Sequence, residues 1–264
     1  MSSLTAVWQR LTNPVKVAEE RLEHGKWQCR DADSRGLAPG YQSGLRALDE
    51  AITIYRQLLT RRTRKFSLSE TPSDLGIRLA AAIKQRGDAF RGLVYGYEIE
   101  QAERRSYALQ ALQAYDEAIA IYLRQPSCWE KLAVAFEAKG SLLTWLGLFE
   151  TSLSANDEAL SLFLGHLSER KYMALAWTYG RRARTLNALH RPEDALEACD
   201  KAMARYAEYR AMADAEHIYC PVGGFLSTVY EERGRALETL GQHESAREAF
   251  ATSRRCVPTM NTGC

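Results

Sequence analysis

Ala47-Leu-Asp-Glu-Ala-Ile-Thr-Ile-Tyr55, Ala114-Tyr-Asp-Glu-Ala-Ile-Ala-Ile-Tyr122 and Ala155-Asn-Asp-Glu-Ala-Leu-Ser-Leu-Phe163 are three versions of one phrase. They are more alike than helical patterning alone would make them. Two looser versions follow, Ala198-Cys-Asp-Lys-Ala-Met-Ala-Arg-Tyr206 and Ala249-Phe-Ala-Thr-Ser-Arg-Arg-Cys256. Counted between the central small residues Ala51, Ala118, Ala159, Ala202 and Ser253, the intervals are 67, 41, 43 and 51, a spacing that marks a repeat architecture. Within each phrase apolar residues recur at three and four positions while the Asp-Glu pair falls on the other side, so each phrase predicts an amphipathic helix.

A second helix is predicted before each phrase. In the last three units a small residue stands 19 positions ahead of the central one: Gly140 before Ala159, Ala183 before Ala202, Gly234 before Ser253. Turn signals separate the two helices, Asn187-Ala-Leu-His-Arg-Pro192 in one unit and Leu240-Gly-Gln-His-Glu244 in another. There glycine supplies a left-handed helix end and proline pre-sets the next start. Gly or Ala at the crossing lets two antiparallel backbones approach, and the larger residues beside it fill the grooves.

The final unit reads Tyr230, Arg233-Gly234, Leu237, Gly241, Ala246, Phe250, Ser253 and Pro258, and in this it resembles the tetratricopeptide (TPR) repeat. The preceding unit (Tyr179, Ala183, Leu186, Ala195, Cys199, Ala202) has a cysteine in the aromatic slot, and the one before it (Phe136, Gly140, Leu143, Ser152, Asn156, Ala159) an asparagine. The resemblance implies an all-α fold, an α-solenoid in which antiparallel helix pairs wind into a right-handed superhelix of about five units. The organisation expected is a single repeat domain with irregular units over residues 1–126, regular repeats over 127–258 and a short tail, 259–264. In the irregular part Gly87 lies 31 positions before Ala118, which predicts helices about two turns longer or an insertion around Gly92 to Ser106. Gly25 lies 26 before Ala51, with Asp33 to Gly40 as the expected loop. The 67-residue interval leaves room for one further degenerate repeat.

The same resemblance places ligand peptides against exposed positions of the first helix of each pair. Carried onto this chain, these are Lys84, Asp88 and Arg91; Glu137, Ser141 and Trp145; Arg181, Arg184 and Asn187; Glu231, Arg235 and Glu238. Their charges are mixed. TPR domains that capture chaperone tails present Lys and Asn around the terminal carboxylate; here Asp88 follows Lys84 where an Asn is wanted, which argues against that role. Trp145 and Trp177 are candidate anchors if exposed, since Trp is enriched at binding hot spots.

Composition narrows the function classes. With 35 basic against 33 acidic residues the formal net charge is +2, which gives no broad attraction for phosphate backbones or anionic lipid. Neither nucleic acid nor membrane is an expected partner, no apolar run reaches the roughly 20 residues of a membrane span, and a cytoplasmic location is expected. Six scattered cysteines (Cys29, Cys128, Cys199, Cys220, Cys256, Cys264) fit reduced thiols rather than a disulfide framework. His217 and Cys220, at i,i+3, offer half of a metal site, but no second half stands nearby, so a packing role is preferred.

The cluster Arg61, Arg62, Arg64 and Lys65, followed by Ser67, reads as an exposed loop that ends at a helix cap near Ser73; an acidic partner or a kinase target at Ser67 is the less favoured alternative. The pairs Asp49-Glu50, Asp116-Glu117 and Asp157-Glu158 read as a solvated face. No phosphate loop, G-x-S-x-G elbow or H-E-x-x-H motif is present, so neither catalysis nor a cofactor is expected. The function expected is a scaffold or adaptor that binds a peptide or helix of a partner protein. The alternatives are a peptide-responsive regulatory subunit and, less favoured, an all-α enzyme. Little sequence follows Pro258 to cover the last pair, so self-association or a partner is expected at that end.

Overall fold

A computed structural model describes residues 13–35, 38–61, 71–96, 99–166, 171–216 and 223–256 of the chain. Among the described residues there are ten α-helices and no strand: α1 (Pro14–Arg35), α2 (Ala38–Arg61), α3 (Pro72–Tyr95), α4 (Gln101–Tyr122), α5 (Trp129–Trp145), α6 (Phe149–Gly165), α7 (Tyr172–Ala188), α8 (Pro192–Ala215), α9 (Gly223–Thr239) and α10 (His243–Cys256), with one 3-10 turn at Pro126–Cys128. They form five consecutive pairs, and every repeated phrase lies on the second helix of its pair. The chain divides into two compact units, residues 1–138 and 139–264.

The crossing rule read from the sequence holds in four of the five pairs. The small residue of the first helix faces the side chain three positions before the central small residue of the second. A Cβ added to Gly25 would lie 2.8 Å from Leu48, one at Gly87 2.8 Å from the Tyr115 ring, one at Gly140 2.6 Å from Asn156 Oδ1, and one at Gly234 2.6 Å from the Phe250 ring. In the remaining pair Ala183 and Cys199 are both fully buried. The asparagine slot is only partly satisfied, its buried Oδ1 accepting no hydrogen bond, and a hydroxyl network lies beside it: Ser152 Oγ donates to the Gly140 carbonyl at 2.8 Å, and Thr144 lies 2.7 Å from Ser152 and 3.1 Å from Thr185 on α7. Asn156 itself donates to Ser152 Oγ at 3.4 Å.

In the first unit the helices lengthen to 22 or 24 residues, against 17 in α5, α6, α7 and α9. This accounts for the wide Gly87–Ala118 interval without an inserted element, and no further pair lies among the described residues between α2 and α4. The loop expected over residues 33–40 is largely helical instead. α1 runs to Arg35 and α2 starts at Ala38, because Gly40 packs directly on Ala32 and Gly44 on Cys29, and the Tyr41 hydroxyl donates to Asp33. The helix start expected near Ser73 is capped by Thr71, whose hydroxyl accepts from the Asp74 amide at 3.1 Å while the Asp74 carboxylate accepts from the Thr71 amide at 3.0 Å, with Pro72 as the first helical residue. Residues 62–70, with most of the basic cluster and Ser67, lie outside the described residues, as do His217, Cys220 and Cys264.

The turns inside the last three pairs share one geometry. Gly147, His190 and Gly241, each 12 residues before its central small residue, have φ of 76°, 55° and 74°. The amide after each donates back to a carbonyl five residues earlier: Leu148 to Leu143, Arg191 to Leu186 and Gln242 to Leu237, all at 2.9 Å, the closure of a Schellman motif. His190 therefore occupies a position that favours glycine. His190→Gly removes roughly 1–2 kcal/mol of left-handed strain against about 0.4–1 kcal/mol of added unfolded-chain entropy. The expected net gain of about 0.5–1 kcal/mol is measurable as a raised thermal midpoint; a lowered midpoint would contradict it.

The Asp-Glu pairs are not simply solvated. Asp49 pairs with Arg86 at 2.7 Å and Asp157 with Arg182 at 2.7 Å, while Asp200 pairs with Arg233. In each case the aspartate of a second helix reaches the arginine just ahead of the small residue in the next first helix. Each pair is partly exposed and contributes at most about 1 kcal/mol, but the repetition sets one register between successive pairs within each unit. The exposed positions of α10 are polar, among them Glu244, Arg247, Glu248 and Arg254, while Ala246, Ala249 and Ser253 are buried. Among the described residues no helix is long and apolar enough to cross a membrane.

Candidate functional site

The first-helix positions singled out from the sequence fall into two groups, one in each unit. In the first unit Lys84, Asp88 and Arg91 are less exposed than expected, with side-chain exposures of 18, 20 and 28%. They are engaged with one another: Lys84 Nζ lies 2.6 Å from Asp88 Oδ2, and Asp88 Oδ1 accepts from the Tyr115 hydroxyl at 3.0 Å and faces Arg91 at 3.6 Å. Burial works against the Arg91 charge, yet Tyr115, Asp88, Tyr95 and Glu137 outweigh it and raise its pKa. Burial also raises the Asp33 carboxyl, with Arg91 opposing the shift and Asp88 reinforcing it. The cluster is a set of mutually satisfied charges between helices. Glu137, on the first-unit part of α5, is half-buried.

In the second unit the site is organised by a residue that the sequence reading passed over. Glu232 on α9 has no solvent exposure. Its carboxylate accepts from Arg184 Nε at 2.8 Å, from Asn187 Nδ2 at 3.1 Å and from Arg235 Nη1 at 3.1 Å, and Asn187 Nδ2 also donates to the Glu232 carbonyl at 2.8 Å. Arg235 reaches Glu231 through its other nitrogen. Four of the expected positions, Arg184, Asn187, Glu231 and Arg235, thus converge around one buried carboxylate, whose hydrogen bonds offset the cost of removing it from water. The two arginine side chains remain about half exposed, at 47 and 50%. Arg181 and Ser141 are half-buried, Glu238 is exposed, and Trp145, at the end of α5, is 37% exposed. Trp177 is not an exposed anchor: it packs edge-on against the buried Phe225 at 4.9 Å, with Tyr206 at 5.3 Å on the same ring.

Two thiols lie beside these clusters. Burial pushes Cys199 up to about 12, reinforced by Glu232 and opposed by Arg233, and pushes Cys29 up to about 11, reinforced by Asp33 and Asp88. Both are protonated and inert near neutrality. Iodoacetamide at pH 8 is expected to alkylate them only after denaturation, by peptide mass spectrometry; rapid native labelling of Cys199 would contradict its burial. Among the described residues no three His, Cys, Asp or Glu side chains come together as a metal site.

No protein-family model and no curated protein matches the sequence. Similarity appears in solved structures. BtubC (BKLC) from P. vanneervenii shares 17% identity over 95% of this chain and 92% of its own, with a TM-score of 0.60. A putative kinesin light chain of Podosopora anserina, with nearly identical TPR-like repeats, shares 14% over 95% and 99%, with a TM-score of 0.53. A MamA protein shares 13% over 91% and 92%, with a TM-score of 0.51. Such identities speak of architecture alone: the chain has a TPR-like helical-repeat fold.

Proposed function

We propose that the chain is a protein-interaction scaffold that binds a peptide segment of a partner protein on the first-helix face of its second unit. The observation that carries this reading is the buried Glu232 carboxylate. It fixes Arg184, Asn187 and Arg235 in set positions while both arginine side chains stay about half open to solvent. Side chains held in place before binding lose little further entropy when a ligand arrives. Arg181, Glu231 and Glu238 on the same two helices make the face mixed in charge, so recognition rests on shape and a few anchors rather than on bulk attraction. Trp145 supplies an exposed aromatic edge in the same unit.

Selection of 12-residue peptides from a displayed library on the full chain tests the reading. One sequence family is expected to enrich, and its affinity is expected to fall at least about tenfold, or roughly 1.4 kcal/mol, in Arg181→Glu/Glu238→Arg. The affinity should be unchanged in Arg247→Glu on α10. Failure to enrich any family, or equal losses in the two variants, would refute it.

A further inference from the structure

A second surface of the same unit lies away from the Glu232 cluster. α6 and the α7–α8 turn enclose an open groove of about 670 Å³, in which Leu153 and Leu189 form an apolar, half-buried part. Its charged lining is unequal. Asp157 is closed by Arg182 at 2.7 Å, and Arg191 is closed by Asp194 at 2.7 Å. Glu150 and Glu158 are exposed and have no cation within ion-pair distance among the described residues. Glu158 differs in this from the glutamates of the two earlier phrases, since Glu50 pairs with Arg21 at 3.0 Å and Glu117 with Arg56 at 2.6 Å. Among the described residues the groove therefore carries two carboxylates without an ion-pair partner around an apolar centre.

We infer that this groove docks a basic, extended segment of a partner protein, with two Lys or Arg side chains flanking a leucine-sized residue. Glu150 and Glu158 are eight residues apart on one helix, about 12 Å along its axis. An extended peptide covers about 13 Å in four residues, so cations at the first and fifth positions match the two carboxylates and the third position meets Leu153 and Leu189. Opposite charges steer the segment and fix its register, and the leucine supplies apolar burial. Glu150 also stands in the first turn of α6, where the helix dipole favours a carboxylate. Glu158 has no such second role, so it is the discriminating position.

The test is fluorescence anisotropy of the full chain with the labelled peptide Gly-Lys-Ala-Leu-Ala-Lys-Gly at low ionic strength. Saturable binding is expected. It should weaken at least about tenfold in Glu158→Lys and again in Ser154→Arg, which places a cation between the carboxylates and leaves both in place. A peptide with glutamate for both lysines should bind Glu158→Lys better than the parent chain. Exchange of the peptide's leucine for asparagine should also weaken binding. Arg181→Glu/Glu238→Arg, which tests the other face, should leave this affinity unchanged. Absence of saturable binding to the parent chain, or an unchanged affinity in Glu158→Lys and Ser154→Arg, would overturn the assignment. Loss of this binding alone would leave the peptide face built on Glu232 standing.

Discussion

Replacing Arg184 and Arg235 together by alanine is expected to lower the unfolding free energy by about 3–5 kcal/mol. Each arginine side chain is about half exposed, so neither ion pair counts for much when taken alone. The cost arises on the other side. Glu232 has no exposure, and after the double replacement its carboxylate keeps only Asn187 as a side-chain donor. A buried charge stripped of its cations is far more costly than a surface pair that is lost. Either single replacement leaves one arginine in place and should cost less, about 1–2 kcal/mol. Adding Glu232→Leu to the double variant should recover most of the loss, because a buried ion cluster replaced by an apolar side chain of similar volume is often neutral. Urea denaturation curves compared at constant slope give the three values. A double variant within about 1 kcal/mol of the parent would show that Glu232 does not depend on these partners.

The second large effect is expected at the helix crossing of the last pair. Gly234→Leu should destabilise the chain by about 1–3 kcal/mol or more, because even a Cβ at this position would stand 2.6 Å from the Phe250 ring. Two controls separate overpacking from helix propensity. Gly76 on α3 has no atom near its missing Cβ, so Gly76→Ala should stabilise by about 0.5–1 kcal/mol, as Gly to Ala does in an open helix interior. Phe250→Ala introduced with Gly234→Leu should restore part of the loss by emptying the space that the leucine needs. If Gly234→Leu alone leaves the denaturation midpoint unchanged, close approach of α9 and α10 at this glycine is not a requirement of the fold.

The contrast between these two sites separates what a linear reading can reach from what it cannot. The Gly234–Phe250 contact is local, formed between two helices joined by a three-residue turn whose glycine announces itself, so it was legible from spacing. The aromatic slot was legible as a position even where its occupant departed from type; Asn156 faces Gly140 as Phe250 faces Gly234. His190 is not legible in this way, because a histidine gives no warning that its backbone is left-handed. The loop expected over residues 33–40 failed for a related reason. Glycine there serves close packing of α1 on α2, and composition alone does not tell a turn glycine from a contact glycine.

The candidate face shows the same division. The sequence placed Arg184, Asn187 and Arg235 on the first helices of their pairs, but Glu231-Glu232 reads as two adjacent carboxylates with no sign of which one turns inward. That depends on α7, 45 to 48 residues away in the chain, and on the rotation of α9 against it. By sequence alone Lys84, Asp88 and Arg91 read as open positions. Their neighbours Tyr115 and Asp33 come from other helices and close them off. The Asp-Glu pairs, read as a solvated face, acquire their arginines only when successive pairs are laid side by side.

The sequence by itself determined the helices, their pairing and the small residues at their crossings, since these follow from periodicities and contacts within some forty residues of chain. Which charges are buried, which are neutralised and which are left open was decided only by the tertiary structure. Desolvation and ion pairing depend on distances between side chains, and those between helices of different pairs carry no fixed spacing in the sequence.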